Sequence, residues 1–202
     1  FLYGDQKERR QIAPPFQISR HPVTVAQYAR FIAEDGYEDA EVKEAGFTAP
    51  VSYSPVFQTP NHPQVGISMI EAAAYCRWLS EKLGKDVRLP TEEEWERAAR
   101  GTEGNEYPWG SGEVARHANI DDADIGHTSA VGLFPSGASP DGCLDMAGNV
   151  WEWTGSPQGD ACVLRGGACI NHADLARCAY CGWILPHFRY EGIGFRVVVS
   201  PF

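Results

Sequence analysis

Apolar residues recur with a helical period at three places along the chain, and each time a capping signal precedes them. After Thr24, the residues Val25, Tyr28, Ala29 and Ile32 fall on one helical face, with Gln27 three positions beyond the cap. A Thr followed at the third position by Gln satisfies two of the amide groups that a helix leaves bare at its start. Ser68 with Glu71 repeats the signal before Ala74, Trp78 and Leu79, and Gly84 supplies a stop. Thr91 with Glu94 repeats it again before Trp95, Ala98 and Ala99, with Gly101 beyond. Elsewhere the periodicity fades. Residues 36–67 are rich in Pro, Gly and Thr and predict loop, as does the Gly-, Asp- and Ser-rich stretch 101–145. The last apolar run, Gly194-Phe195-Arg196-Val197-Val198-Val199, predicts a buried strand, with Val163-Leu164-Arg165 as its pairing partner. No internal repeat or low-complexity linker interrupts the chain. The pattern predicts one α+β domain over residues 1–202, with long ordered loops.

Composition agrees with a loop-rich globular protein. Of 202 residues, 43% are apolar and 22% charged, and 21 Gly with 14 Pro supply the turns. Six Trp, nine Phe and eight Tyr can fill an irregular core where regular structure is sparse. Seventeen basic against 27 acidic residues give a formal charge of -10. That balance argues against nucleic-acid binding, which needs a basic face, and otherwise means a solvated surface. No apolar run is long enough to span a bilayer, and no signal-peptide pattern opens the chain, which begins at Phe1. Together with free thiols, this leans the expected compartment toward the cytoplasm.

The cysteines are Cys76, Cys143, Cys162, Cys169, Cys178 and Cys181. Cys178-Ala179-Tyr180-Cys181 is formally a Cys-x-x-Cys, a spacing that suits a redox pair or half of a zinc site. Zinc would need further ligands, for which Cys169, His172 and His187 are candidates. Two free thiols are the simpler reading.

Several segments resemble the formylglycine-generating-enzyme family. His21-Pro22-Val23-Thr24 leads into the first helix, Arg88-Leu89-Pro90-Thr91-Glu92-Glu93-Glu94-Trp95-Glu96 opens the third, and Tyr107-Pro108-Trp109-Gly110 follows it. Asp145-Met146-Ala147-Gly148-Asn149-Val150-Trp151-Glu152-Trp153-Thr154 lies centrally, and Arg165-Gly166-Gly167 and Gly194-Phe195-Arg196 bracket the last segment. These segments stand in the family's order over nearly the whole chain. The resemblance implies a C-type-lectin-like fold.

That family includes copper-dependent oxidases that convert a sulfatase cysteine to formylglycine, iron-dependent sulfoxide synthases, and binding domains without catalysis. In the oxidases two cysteines after the Arg-Gly-Gly segment hold copper. Counted from either flank, those positions fall near Asn171 and Ala173, and neither is Cys. The sulfoxide synthases carry their iron-binding histidines on a separate helical domain, which these residues do not include. The expectation is therefore a domain that is not an enzyme and carries no catalytic cofactor. The alternatives are a copper-dependent oxidase with rearranged cysteines and an accessory domain of a larger signalling protein.

The same fold resembles the variable proteins of diversity-generating retroelements, which display a hypervariable surface. Residues 168–192 fit that comparison. Leu175, Arg177, Pro186 and Arg189 look fixed, while the rest follows neither the strand nor the helix period. The candidate ligand-binding residues are Cys169, Ile170, His172, Cys181, Gly182, Trp183, Ile184, Leu185, His187, Phe188, Tyr190 and Glu191. Randomised Asn codons reach most of these residue types but not Trp183 or Glu191. Rigid aromatic side chains on a loop surface suit binding of a protein or other macromolecule. The competing reading turns these side chains inward as core.

The resemblance also implies calcium. Carried over residue by residue, its ligands are the side chains of Asp145 and Glu152 and the carbonyls of Gly148 and Val150, hard oxygens from one tight loop. A second family site would involve Asn119 and Ile120, with Asp122 and Asp124 straddling the position of its acid.

Overall fold

The computed structural model describes residues 1–12 and 15–200. All three capping boxes form. In α1 (Val25–Ala33) the Gln27 amide donates to Thr24 Oγ1 at 3.3 Å, and the Thr24 amide donates to Gln27 Oε1 at 2.9 Å. Ser68 and Glu71 exchange the same pair of bonds at the start of α3 (Met69–Leu83), and Thr91 and Glu94 at the start of α4 (Glu92–Arg100). Each cap contributes on the order of 1 kcal/mol. Gly84 closes α3 in the left-handed conformation, and Gly101 follows α4.

The expected loop over 36–67 contains a helix, α2 (Ala40–Glu44), so that expectation is corrected there. The Asp39 carboxylate accepts from the Glu41 and Val42 amides and receives two bonds from Arg77 of α3. Val42 is fully buried. A helix of five residues is too short to show a period, and it persists because α3 holds its cap.

Strands are short. β1 (Leu2–Tyr3) and β2 (Glu8–Arg9) make a hairpin. β3 (Gln17–Ile18) and β4 (Val87–Arg88) flank β9 (Val198–Val199) on either side. The largest sheet has the order β7-β6-β5-β8, from β5 (Trp151–Gln158), β6 (Ala161–Arg165), β7 (Cys181–Ile184) and β8 (Ile193–Phe195). β5 and β6 are antiparallel with a bulge between Trp153 and Pro157, and β8 runs parallel to β5.

The final apolar run thus differs from expectation. It forms two strands in two sheets, and neither pairs with Val163-Leu164-Arg165. The break falls at Arg196, whose fully buried guanidinium is drawn inward by Glu152, while Val197 exchanges bonds with Ser19. A buried charge must face its partner, so it sets the point where the chain changes sheet.

The largest core cluster is aromatic: Tyr28, Phe31, Tyr75 and Phe195 meet beside Trp153 and Ile67. The Tyr28 and Tyr75 rings stack at 5.6 Å, and Phe195 meets Tyr75 edge-on at 5.3 Å. A second cluster gathers Trp95, Met146, Cys143 and Cys178, and a third Tyr107, Ile120 and Ala176. Loops close over these clusters through tight backbone contact. Gly148 has φ +75°, and a Cβ there would stand 2.2 Å from the Asn119 carbonyl oxygen, so only glycine fits. No helix among the described residues is long and apolar enough to cross a membrane.

Candidate functional site

The segment after β6 leaves the sheet at Gly166 and Gly167, both at positive φ. A Cβ on Gly166 would meet the Trp95 ring at 3.1 Å, so α4 lies directly beneath the turn. The chain is then pinned at intervals. The Asn171 side chain accepts from the Ala168 amide at 2.8 Å, the Cys169 amide donates to Asn149, and the Cys178 amide donates to Glu106. β7 pairs with β6 from Cys162↔Ile184 to Arg165↔Cys181. Beyond it, the Pro186 carbonyl accepts from Met69 and the Tyr190 carbonyl from Gly66.

Arg189 is the main anchor. Its Nε donates to Glu71 Oε2 at 2.8 Å, and its guanidinium lies 3.7 Å from the centroid of the Phe47 ring. Glu71 is fully buried and also accepts from Ser68 and, at 2.5 Å, from the Tyr37 hydroxyl. Burial, then the Glu71 charge, push the Tyr37 phenol well above its ordinary value. The Tyr53 hydroxyl donates to the Arg189 carbonyl at 3.0 Å. One carboxylate therefore caps α3 and holds the end of the 168–192 segment.

On this fixed backbone several apolar side chains face solvent. Ile170 is 59% exposed, Trp183 62%, Leu185 40% and Tyr190 46%. His172, His187 and Glu191 are also exposed, and Cys181, Gly182 and Phe188 are half-buried. His187, Phe188 and Tyr190 form a ladder of stacked rings with centroids 4.8 and 5.8 Å apart. Ile170 and His172 lie on a different loop, next to Asp121, whose amide donates to the Asn171 carbonyl.

Two expected surface residues face inward instead. Cys169 is 3% exposed, and burial lifts its thiol to about 11. Ile184 packs against the largest core cluster, because strand alternation that turns Trp183 outward turns Ile184 inward. Gly182 shares that inner face, where a Cβ would touch the Trp151 ring at 3.8 Å. Sequence reasoning also missed Tyr53, Phe47 and Glu71, which support the segment from residues read as loop and as a helix cap. Three aromatic residues within 47–57, Phe47, Tyr53 and Phe57, were the available signal.

The cysteine readings separate cleanly. Cys178 is fully buried beside Trp95 and Met146, and burial pushes its thiol far up. Cys181 lies on β7 opposite Arg165; burial raises its thiol and Arg165 opposes the rise. Among the described residues no three His, Cys, Asp or Glu side chains gather as metal ligands. The copper of the oxidases finds no soft donor at Asn171 or Ala173, so the residues at those positions do not fit it.

At the central loop, Arg196 binds Glu152 through Nε–Oε2 at 2.6 Å and Nη2–Oε1 at 2.8 Å, and Trp95 Nε1 donates to Glu152 Oε2 at 2.7 Å. Arg196 Nη2 also reaches the Leu144 and Asp145 carbonyls. Asp145 is nearly buried, and its Oδ2 accepts from the Gly132 amide. Burial holds its carboxyl above the usual range despite that bond and Arg196. Arg196 thus pairs with the Glu152 carboxylate and reaches Asp145 only through its main-chain carbonyl. Of the expected calcium ligands, Glu152 has both carboxylate oxygens engaged by Arg196 and Trp95, whereas Asp145 Oδ2 accepts from a single backbone amide.

Comparison with known proteins follows the same line. Residues 2–201 match the family model described as the sulfatase-modifying factor enzyme 1-like domain. The chain is 33% identical to hercynine oxygenase of Mycolicibacterium thermoresistibile, covering 91% of this chain and 50% of that protein. It is 31% identical to the formylglycine-generating enzyme of Mycobacterium tuberculosis over 69% of this chain and 62% of that protein. It is 41% identical to inactive C-alpha-formylglycine-generating enzyme 2 of Bos taurus over 85% of this chain and 71% of that protein. The chain spans about half the length of the hercynine oxygenases it matches. Among solved structures, PvdO from Pseudomonas aeruginosa superposes with a TM-score of 0.78 at 26% identity, covering 94% of this chain and 82% of that one. Variable protein 1 of Treponema denticola superposes with a TM-score of 0.73 at 22% identity, covering 92% and 84%, a likeness of fold. The C-type-lectin-like fold is that of these proteins.

The expectation that the chain is not an enzyme is corrected by these relatives. Proteins named hercynine oxygenase and formylglycine-generating enzyme match it at 31–33% identity over most of its length. The missing cysteine pair spoke only to one copper chemistry, and a family with several redox centres is not judged by one of them.

Proposed function

The chain belongs to the sulfatase-modifying factor enzyme 1-like family, and on that footing we propose that it is the recognition domain of a family oxygenase or oxidase. Its substrate or protein partner docks on the 168–192 surface. The observation that carries this reading is the exposure of Trp183, Leu185 and Tyr190 on a backbone held by Arg189, Glu71 and Tyr53. Apolar area left in water on a rigid scaffold is where binding energy is available, because little order has to be gained on association. In an enzyme of hercynine-oxygenase length, this domain supplies recognition and the remaining half supplies the reacting centre.

Calcium is part of the proposal, held by Asp145 and the Gly148 and Val150 carbonyls with Glu152 behind them. It neutralises buried charge and fixes the central loop.

The test uses the full-length protein with two probes: hercynine, and an unfolded cysteine-bearing sulfatase peptide. Oxygen consumption and binding are measured with each. Trp183→Ala and Tyr190→Ala should weaken binding of the accepted probe at least tenfold with the fold intact. If binding and turnover are unchanged in both variants, the 168–192 surface is not the docking face.

A second reading has one observation of its own. The exposed positions are aromatic and aliphatic in a fold shared with Treponema denticola variable protein 1. A near-copy of the 168–192 coding stretch beside a reverse transcriptase gene, differing at adenines, would make this surface a diversified one; identity of the stretch among isolates would end that reading.

A further inference from the structure

Between the chain that leads from β3 into α1, one face of α3 and the loop at Val131 lies a cavity of about 310 Å³. Tyr75, Leu79, Val131 and Val197 supply much of its apolar wall. No Asp or Glu lines it, although the chain carries a formal charge of -10.

The polar side chains that line it have donors to spare. The Arg20 guanidinium forms no ion pair or hydrogen bond among the described residues; only its main-chain carbonyl is engaged, by the Leu144 amide and by Arg196. Gln27 gives its Oε1 to the amide and the hydroxyl of Thr24, at 2.9 and 3.2 Å, and its Nε2 has no partner among the same residues. The His21 imidazole is also unpartnered there, while its carbonyl accepts from Ser19 Oγ. Burial, then Arg20 and Arg196, hold that imidazole below its ordinary value. Arg196 is answered by Glu152, so Arg20 is the uncompensated charge. Gly132, at φ +76°, leaves room beside the ring: a Cβ there would stand 3.0 Å from His21 Nε2.

A free guanidinium fork matches the two oxygens of a carboxylate, and an amide donor beside it adds a further bond. Apolar walls around a few convergent polar groups hold the hydrocarbon part of a small ligand. We infer that this cavity binds a small carboxylic acid with a short hydrocarbon body. Its carboxylate meets Arg20 and Gln27 Nε2, with a ring N–H from His21, and its body packs against Tyr75, Leu79 and Val131. None of these residues belongs to 168–192, and the site stands whether or not that segment is the docking face.

The probes are 3-methylbutanoate and benzoate, added to the full-length protein and followed by saturation transfer to the ligand. Both should bind saturably. Their primary amides, and inorganic phosphate, which has no apolar body, should bind at least tenfold more weakly. Arg20→Gln should weaken the acids at least tenfold, since an exposed side chain is changed and the fold is left intact. Gln27→Glu keeps the acceptor that caps α1 and replaces the donor by a negative charge, so it should abolish binding while the helix persists. Trp183→Ala should leave the affinity unchanged. Failure of both acids to bind saturably overturns the inference, as does equal binding of the amides or unchanged affinity in Arg20→Gln and Gln27→Glu. Phosphate that binds as tightly as the acids would overturn the assignment to a carboxylate.

Discussion

Glu152 and Arg196 form a bidentate ion pair with neither side chain exposed, at 2.6 and 2.8 Å. It joins β5 to the residue at which the chain crosses from β8 to β9. Breaking such a pair from one side strands a charge in the interior. Arg196→Met or Glu152→Ala should therefore cost about 3–5 kcal/mol. The double replacement Glu152→Met with Arg196→Met should cost less than the sum of the singles. Urea denaturation of the three variants measures both.

Asp145 behaves oppositely to a surface carboxylate. Burial raises its carboxyl in the folded protein, so folding binds a proton there that the unfolded chain releases. Its stabilising contribution is full below the ordinary carboxylate range and is lost as pH rises through the raised folded value. Without added cation, Asp145→Asn should be at least as stable as the parent near neutral pH, and their difference should shrink on acidification. Calcium should raise the melting temperature of the parent and not of the variant. A calcium response that survives Asp145→Asn would remove Asp145 from the site.

Glu71 serves α3 and the docking face at once. Glu71→Gln removes a charge from Arg189 while leaving a hydrogen-bonding group for Ser68. A loss of roughly 2–4 kcal/mol is expected, since Arg189 is left beside Phe47 with no counter-charge. Arg189→Met is the sharper probe of the surface, because Ser68 keeps its cap. Exchange should quicken at the Gly66 amide, which donates to Tyr190, while the α3 amides remain protected.

Trp183→Ala and Tyr190→Ala should change stability by within about 0.5 kcal/mol, as for surface positions. Phe188→Ala, half-buried in the ring ladder, should cost more. Unfolding of the Trp183 variant would favour the inward, core reading of these side chains.

Thiol labelling should be slow in the native protein. Burial lifts Cys76 to about 12 and Cys169 to about 11, leaving little thiolate near neutral pH. Cys181, half-buried with Arg165 opposing the effect of burial, should react first, and the remaining cysteines should need denaturant. Fast labelling of Cys178 would contradict its burial against Trp95.

The sequence by itself determined the starts of α1, α3 and α4, because a capping box is a local arrangement whose donors and acceptors lie within four residues. It also determined the family, through segments spread over the whole chain, and the aromatic, irregular character of the 168–192 stretch. Tertiary structure decided the rest. The short α2 exists because Arg77 of another helix grips its cap, and the last apolar run divides because Glu152, 44 residues away, claims Arg196. Which way Cys169, Trp183 and Ile184 point was fixed by the pairing of β7 with β6 and by the loop packed around them. Those are contacts between residues distant in the chain, and no local period encodes them.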